Sequence, residues 1–96
     1  KGWGSFTVSA SPTMIANYPA SGVSCAKIGT GSYTVTHAVT VASANFAGAV
    51  SVEDATACIA QIGARGTTTL NILFFDAGGV AVDPDVGHYI ILGDLA

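Results

Sequence analysis

The chain offers few side chains with which to do chemistry: six Asp or Glu, three Lys or Arg, two His and two Cys in 96 residues. Ser24, Cys25 and His37 have the types of a nucleophile and a base. Nucleophilic catalysis, however, needs the base held against the nucleophile by a third group, and no spacing in this sequence supplies one. Neither a Gly-x-Ser-x-Gly turn nor a Gly-rich phosphate loop after a strand occurs, so the chain reads as non-enzymatic. His37 and His88 stand singly, without the paired His or Cys spacing of a closed metal site. Each reads first as a hydrogen-bonded imidazole; in a trimer, one His per chain facing the axis could instead present three imidazoles to an ion. Asp83-Pro84-Asp85, with Asp76 before it and Asp94 after, gathers acid around one turn. Calcium would require more oxygens than this turn offers, so it reads as a Pro-fixed turn with solvated carboxylates, and no cofactor is expected.

Trp3, Tyr18 and Tyr89 fall at loop edges, where an aromatic ring can stack on a sugar while its polar tip stays wet. Trp3 and Tyr18 read first as core or interface packing. If binding occurs on turns presented by a rigid sheet, the most distinctive ones are Asn17-Tyr18-Pro19 and Asp83-Pro84-Asp85, the latter followed by His88 and Tyr89. Tyr18 or Tyr89 would be the stacking surface, and Asp83 or Asp85 the hydrogen-bond acceptors.

Alternation dominates the elements that must carry these residues. From Gly31 to Thr40, Tyr33, Val35, His37 and Val39 share one face, and Ser32, Thr34, Thr36 and Thr40 the other, the period of a half-buried strand. Gly66 to Phe75 is equally strand-like, but apolar on both faces after Leu70, which predicts cover on both sides. Further strands are predicted at Trp3 to Ser9, Gly22 to Ile28, Phe46 to Glu53, Ala57 to Gly63 and Gly87 to Gly93. Seven short strands with turns between them predict an all-β fold, an antiparallel sandwich of jelly-roll or knob-like type. A single helical turn near Glu53 to Ala57 is the alternative at that point. Tyr33, Val35, Val39, Leu70, Ile72, Phe74, Ile90 and Leu92 are the expected core.

Residues 1–96 form one expected domain, because no Pro-, Ser- or charge-rich stretch divides them. The opening on Lys1 rather than Met suggests the C-terminal part of a longer chain. Three basic residues and a net charge of −3 cannot build a phosphate-neutralising stripe, so nucleic acid is not an expected partner. No segment is long and apolar enough to predict membrane insertion. Half the residues are hydrophobic and 9% charged, against roughly a quarter charged in ordinary soluble domains. That shortage predicts burial against copies of the chain, and the Ala- and Gly-rich run from Val41 to Val52 would allow close backbone approach, inside the sandwich or around a symmetry axis. Cys25 and Cys58, each among small residues, read as reduced core side chains rather than a disulfide framework.

The order Lys1-Gly2-Trp3-Gly4-Ser5-Phe6, Asn17-Tyr18, Gly22-Val23-Ser24, Gly29-Thr30-Gly31-Ser32-Tyr33-Thr34-Val35-Thr36, and Ala44-Asn45-Phe46 resembles a module of bacteriophage tail fibres and related virion appendages. In that family a Lys-Ala-Trp-x-x-Phe opening precedes Gly-x-Gly-x-Tyr-x-Val-x-Phe and Ala-Asn-Tyr. The resemblance covers nearly the whole chain, departing from the pattern at His37, where Phe is common, and at Gly2 and Gly4. It implies a homotrimeric β-sandwich tip for host attachment in a tail fibre, spike or needle, binding a cell-surface polysaccharide or protein. The chain would be made in the host cytoplasm and carried in the virion. Two other readings stay open: a structural trimerisation or capping domain of such an appendage, and a carbohydrate-binding module of a secreted enzyme or adhesin.

Overall fold

The computed structural model of the chain describes residues 2–43 and 46–92. Lys1, Ala44-Asn45 of the resemblance, the expected end of the closing strand at Gly93, and Asp94, Leu95 and Ala96 lie outside the described residues. The described residues hold eight strands and no helix: β1 (Gly2–Thr7), β2 (Met14–Tyr18), β3 (Ser24–Gly29), β4 (Ser32–Thr36), β5 (Ala47–Glu53), β6 (Cys58–Arg65), β7 (Thr69–Asp76) and β8 (Val86–Leu92). They form two antiparallel four-stranded sheets, ordered β2-β1-β8-β5 and β3-β4-β7-β6, which pack as a β-sandwich.

The core is built from the inward-facing alternate residues of both sheets. Phe6, Tyr89 and Ile91 come from the first sheet, and Tyr33, Val35, Leu70, Ile72 and Phe74 from the second. The rings of Phe6, Tyr33 and Phe74 meet pairwise at centroid distances of 6.0, 6.4 and 5.9 Å. Beyond β4 the alternation continues without a ladder: His37, Val39 and Val41 are buried, and the backbone N–H groups of His37 and Val41 donate to Thr68 and Thr67 carbonyls.

Several expectations are corrected. The strand β2 was not expected where the Asn17-Tyr18-Pro19 turn stands; Pro19 ends this strand rather than centring a turn, as suits an edge strand that needs no further donor. In β8 the inward residues are Gly87, Tyr89 and Ile91, while Ile90 and Leu92 point outward at 51% and 54% exposure. The phase is set by Gly87, because a Cβ there would meet Phe6 Cζ at 2.6 Å and Phe74 Cζ at 2.8 Å; a strand has no freedom to reverse one residue alone. In β7 Leu70, Ile72 and Phe74 are covered, whereas Leu73 and Phe75 face outward, half-buried, with no further layer of strands over them among the described residues. β6 runs through Gly63 to Arg65, with a register shift between Ile62 and Ala64 rather than a break. At Asp54 to Ala57 the chain makes no helical turn: the Asp54 carboxylate accepts from the Thr56 backbone N–H (3.3 Å) and hydroxyl (2.7 Å), an Asx-type turn.

Cys25 and Cys58 are free. They lie on β3 and β6, the two edges of one sheet, three strand spacings or roughly 14 Å apart across it, and the register places Cys25 in the row of Arg65, at the other end of β6 from Cys58. The separation across the sheet alone is about twice the greatest Cα distance a disulfide spans.

Candidate functional site

Strand direction separates the expected binding residues into two groups. Gly2 pairs with Ile91 and Trp3 with Tyr18, so both ends of the described chain, together with Asn17 and Tyr18, lie at one end of the sandwich. Thr7 pairs with Val86, and Glu53 with Val86, so the segments Val8 to Thr13, Asp54 to Ala57 and Asp83 to Asp85 gather at the opposite end, called here the tip. The two expected turns are therefore not brought together. Asn17 turns its amide onto the Pro19 carbonyl at 2.6 Å, while Tyr18 stays exposed beside Trp3 on the outer face of the first sheet.

Tyr89 is not a stacking surface: it is 2% exposed, and burial, then the nearby Cys25, pushes its hydroxyl up to about 12. Its place in the core follows from the phase of β8. His88 does lie outward, with Nε2 2.6 Å from Glu53 Oε1 on the neighbouring strand. His37 cannot face a symmetry axis, being 2% exposed within its own chain, with Nδ1 donating to the Val39 carbonyl at 2.6 Å and its ring edge-on to Phe46.

Asp83 is engaged inside the molecule rather than held out as an acceptor. Its Oδ1 accepts from the Gly31 backbone N–H at 2.8 Å and the Tyr33 hydroxyl at 2.9 Å, and its Oδ2 from Lys27 Nζ at 2.7 Å. The segment before β8 is thus fastened onto the β3–β4 hairpin. Burial alone would raise this carboxyl, but the hydrogen bonds from Lys27, Gly31 and Tyr33, with the Lys27 charge, hold it below its ordinary value of 3.8.

A partly exposed Lys–Asp pair contributes at most about 1 kcal/mol. The bonds from the half-buried Gly31 N–H and Tyr33 hydroxyl carry the greater part, so Asp83→Ala should cost about 1.5–3 kcal/mol, read by urea denaturation. A folded carboxyl below its ordinary value contributes stability that is complete above about pH 4 and is lost as the pH falls through the folded value. The gap between wild type and Asp83→Ala should accordingly close in strong acid; equal stability at pH 7 would show that the fastening has no energetic weight.

Asp85 is exposed at the tip, beside a set of polar groups centred on Asp54. Asp54 Oδ2 accepts from Thr56 Oγ1 and lies 3.6 Å from Cys58 Sγ, and the Asp85 side chain lies near that of Asp54. The Thr56 hydroxyl, with further donors, holds the Asp54 carboxyl below the ordinary range. Partial burial, then the Asp54 carboxylate, pushes the Cys58 thiol up, so this sulfur stays a thiol at neutral pH. The Asp-x-Thr pattern at Asp54 was a readable signal for the turn; its proximity to Asp85 was not, the two being far apart in sequence. No group of three or more metal-ligating side chains occurs among the described residues. The arrangement can accept and donate hydrogen bonds at a solvent-facing rim.

The outer face of the first sheet carries a different chemistry. Its register aligns Tyr18, Trp3, Ile90 and Ala49 in one row across all four strands, with Leu92 opposite Ala47 in the row beyond. Trp3, Tyr18, Ile90 and Leu92 are 47–55% exposed. Trp3 is thus not a core residue: Gly2, Gly4 and Phe6 are the inward positions of β1. Compared with protein-family models, with curated proteins and with solved structures, the chain matches none of them.

Proposed function

We propose that the chain is a non-enzymatic attachment domain of a bacteriophage tail fibre, spike or needle tip, working in the virion as a knob-like homotrimer on a host-surface polysaccharide or protein. The observation that carries this reading is the division of the sandwich into two ends. Both ends of the described chain emerge at one end, and the rim of Asp54, Thr56 and Asp85 stands at the other. Gly2 and Leu92 thus stand at the end away from the tip, which leaves the rim free to meet a surface. The two-sheet all-β architecture is the one that the tail-fibre resemblance implies. A shallow polar rim binds weakly by itself, and three copies engaging a repetitive surface together gain avidity of about 10²–10⁴ over one contact.

The test is binding of the labelled domain to a panel of bacterial cells and their purified surface polysaccharides, with molar mass measured by light scattering on the same preparation. The expected result is an assembly of three chains, retention on a subset of cells, and at least about a tenfold loss of binding in a folded Asp54→Ala, Asp85→Ala double variant. Undiminished binding by that variant would remove the tip rim from the reading. A trimer retained on no cells would replace attachment by a structural trimerisation or capping role.

A further inference from the structure

We infer that the outer face of the first sheet is the surface by which copies of this chain associate, the large end of the face on one copy packing against the small end on the next. The inference deepens the assembly part of the proposed function and rests on it only in that copies meet. Three features of the face select a second copy as its occupant.

The first is charge. No Asp, Glu, Lys or Arg stands in the two rows Tyr18–Trp3–Ile90–Ala49 and Leu92–Ala47 among the described residues. The next row toward the tip holds Ala16, Ser5, His88 and Ser51, with the His88–Glu53 pair beyond it. An acidic, basic or nucleic-acid partner would find nothing to pair with on such a surface, whereas an equally uncharged surface leaves no polar group stranded. This chain itself carries one.

The second is size. Across the row the side chains diminish from Tyr18 and Trp3 on β2 and β1, through Ile90 on β8, to Ala49 on the edge strand β5, with Ala47 beside it. Two such faces brought together in the same sense would set aromatic rings against rings and leave a gap over the alanines. Set in opposite sense, or turned around an axis so that the β2 side of one copy meets the β5 side of its neighbour, the rings fill the space that the alanines leave. This complementarity is a property of the face with itself.

The third is area. Four strands about 4.8 Å apart and some five residues of about 3.4 Å rise give roughly 300 Å² in projection, and side chains of this bulk raise the accessible area toward about 500 Å². A monomer's largest exposed apolar patch is about 300–600 Å², and a standard interface takes about 800 Å² from each partner. Counted together with its polar margin of Ser5, Ser51 and His88, the face therefore supplies more than half of what a stable contact needs.

The chain's single Trp, Trp3, lies inside the face and reports on it directly. Light scattering and tryptophan emission are measured on the wild type over a dilution series, and on Ala49→Arg and Ala26→Arg. Ala49 and Ala26 are exposed residues on different sheets, so the second variant is the control. The expected result is that wild type and Ala26→Arg form the same assembly, in which Trp3 emits at shorter wavelength and is quenched by acrylamide several-fold less than after dilution. Ala49→Arg should shift dissociation to at least about 100-fold higher concentration, because an unpaired guanidinium must be buried in the contact. An assembly unchanged by Ala49→Arg, or one in which Trp3 is quenched as freely as in the monomer, would overturn the assignment of the face while leaving the trimer standing. A wild type that stays at 9.5 kDa throughout would overturn both. Loss of cell binding with assembly intact would count against attachment alone. Should Ala49→Arg unfold, the quenching comparison on the wild type still decides the question.

Discussion

Replacing Phe74 with Ala should remove about 3–5 kcal/mol of stability, the largest loss expected from a single truncation in this chain. Phe74 is fully buried, and its ring meets Phe6 and Tyr33 at 6.4 and 5.9 Å, so that each sheet contributes to the cluster around it. Truncation leaves a cavity that the neighbours cannot close, because the rings of Phe6 and Phe74 already crowd Gly87 on β8 and their backbones are fixed in paired strands. Domains of this size are stable by only about 5–15 kcal/mol, so the variant should unfold at much lower urea and near or below physiological temperature. An unchanged thermal midpoint would show that this cluster does not hold the two sheets together.

Gly31→Ala should cost about 3 kcal/mol or more, although it adds one methyl group at a turn. Gly31 has φ +69°, and a Cβ there would meet the Phe74 carbonyl oxygen at 2.6 Å and Val82 backbone atoms at 3.0 and 3.1 Å. The left-handed conformation alone costs a non-glycine residue about 1–2 kcal/mol. The clash is with backbone, which cannot swing aside as a flexible side chain would. Moving Gly31 also disturbs two bonds that it makes, N–H to Asp83 and carbonyl to the Phe74 N–H at 2.8 Å. Gly29, two residues earlier, is the internal control. Nothing lies within 4 Å of a Cβ there and its φ is not positive, so Gly29→Ala should change stability by less than about 1 kcal/mol. Similar denaturation midpoints for the two variants would show that Gly31 is not wedged as described.

The parts of the fold legible in the sequence were those where one face is apolar and the other polar. β4 is the clearest case: Tyr33 and Val35 alternate with Ser32, Thr34 and Thr36, and only one phase buries the large side chains. β8 was read in the wrong phase because Tyr89, Ile90, Ile91 and Leu92 are all apolar and local sequence gives no preference. Gly87 decides it, through rings contributed by β1 and β7. β2 was hidden for a related reason: the register shift between Ser5 and Phe6 on β1 disrupts simple alternation against Met14 to Tyr18, and Pro19 reads as a turn signal. At the candidate site, Asp85 and the outward His88 were legible as polar residues near turns. The capture of Asp83 by Lys27, Gly31 and Tyr33 was not, since its partners lie 50 to 56 positions away. The shortage of charge did announce an uncharged surface, but not which sheet would carry it.

The position of β8 between β1 and β5 also governs when this molecule can fold. A chain emerging from the ribosome can form the β3–β4 and β6–β7 hairpins, and so the whole second sheet, before β8 has been made. The first sheet has no such freedom: until β8 arrives, the β1–β2 hairpin and β5 have no strand between them, and Phe6 has no Tyr89 or Ile91 beside it. Closing that slot joins Gly2 to Ile91, and pairings of such sequence separation make folding slow. In the interval the growing polypeptide exposes two open strand edges and half of its core, at the point where newly made copies lie closest to one another on a shared messenger.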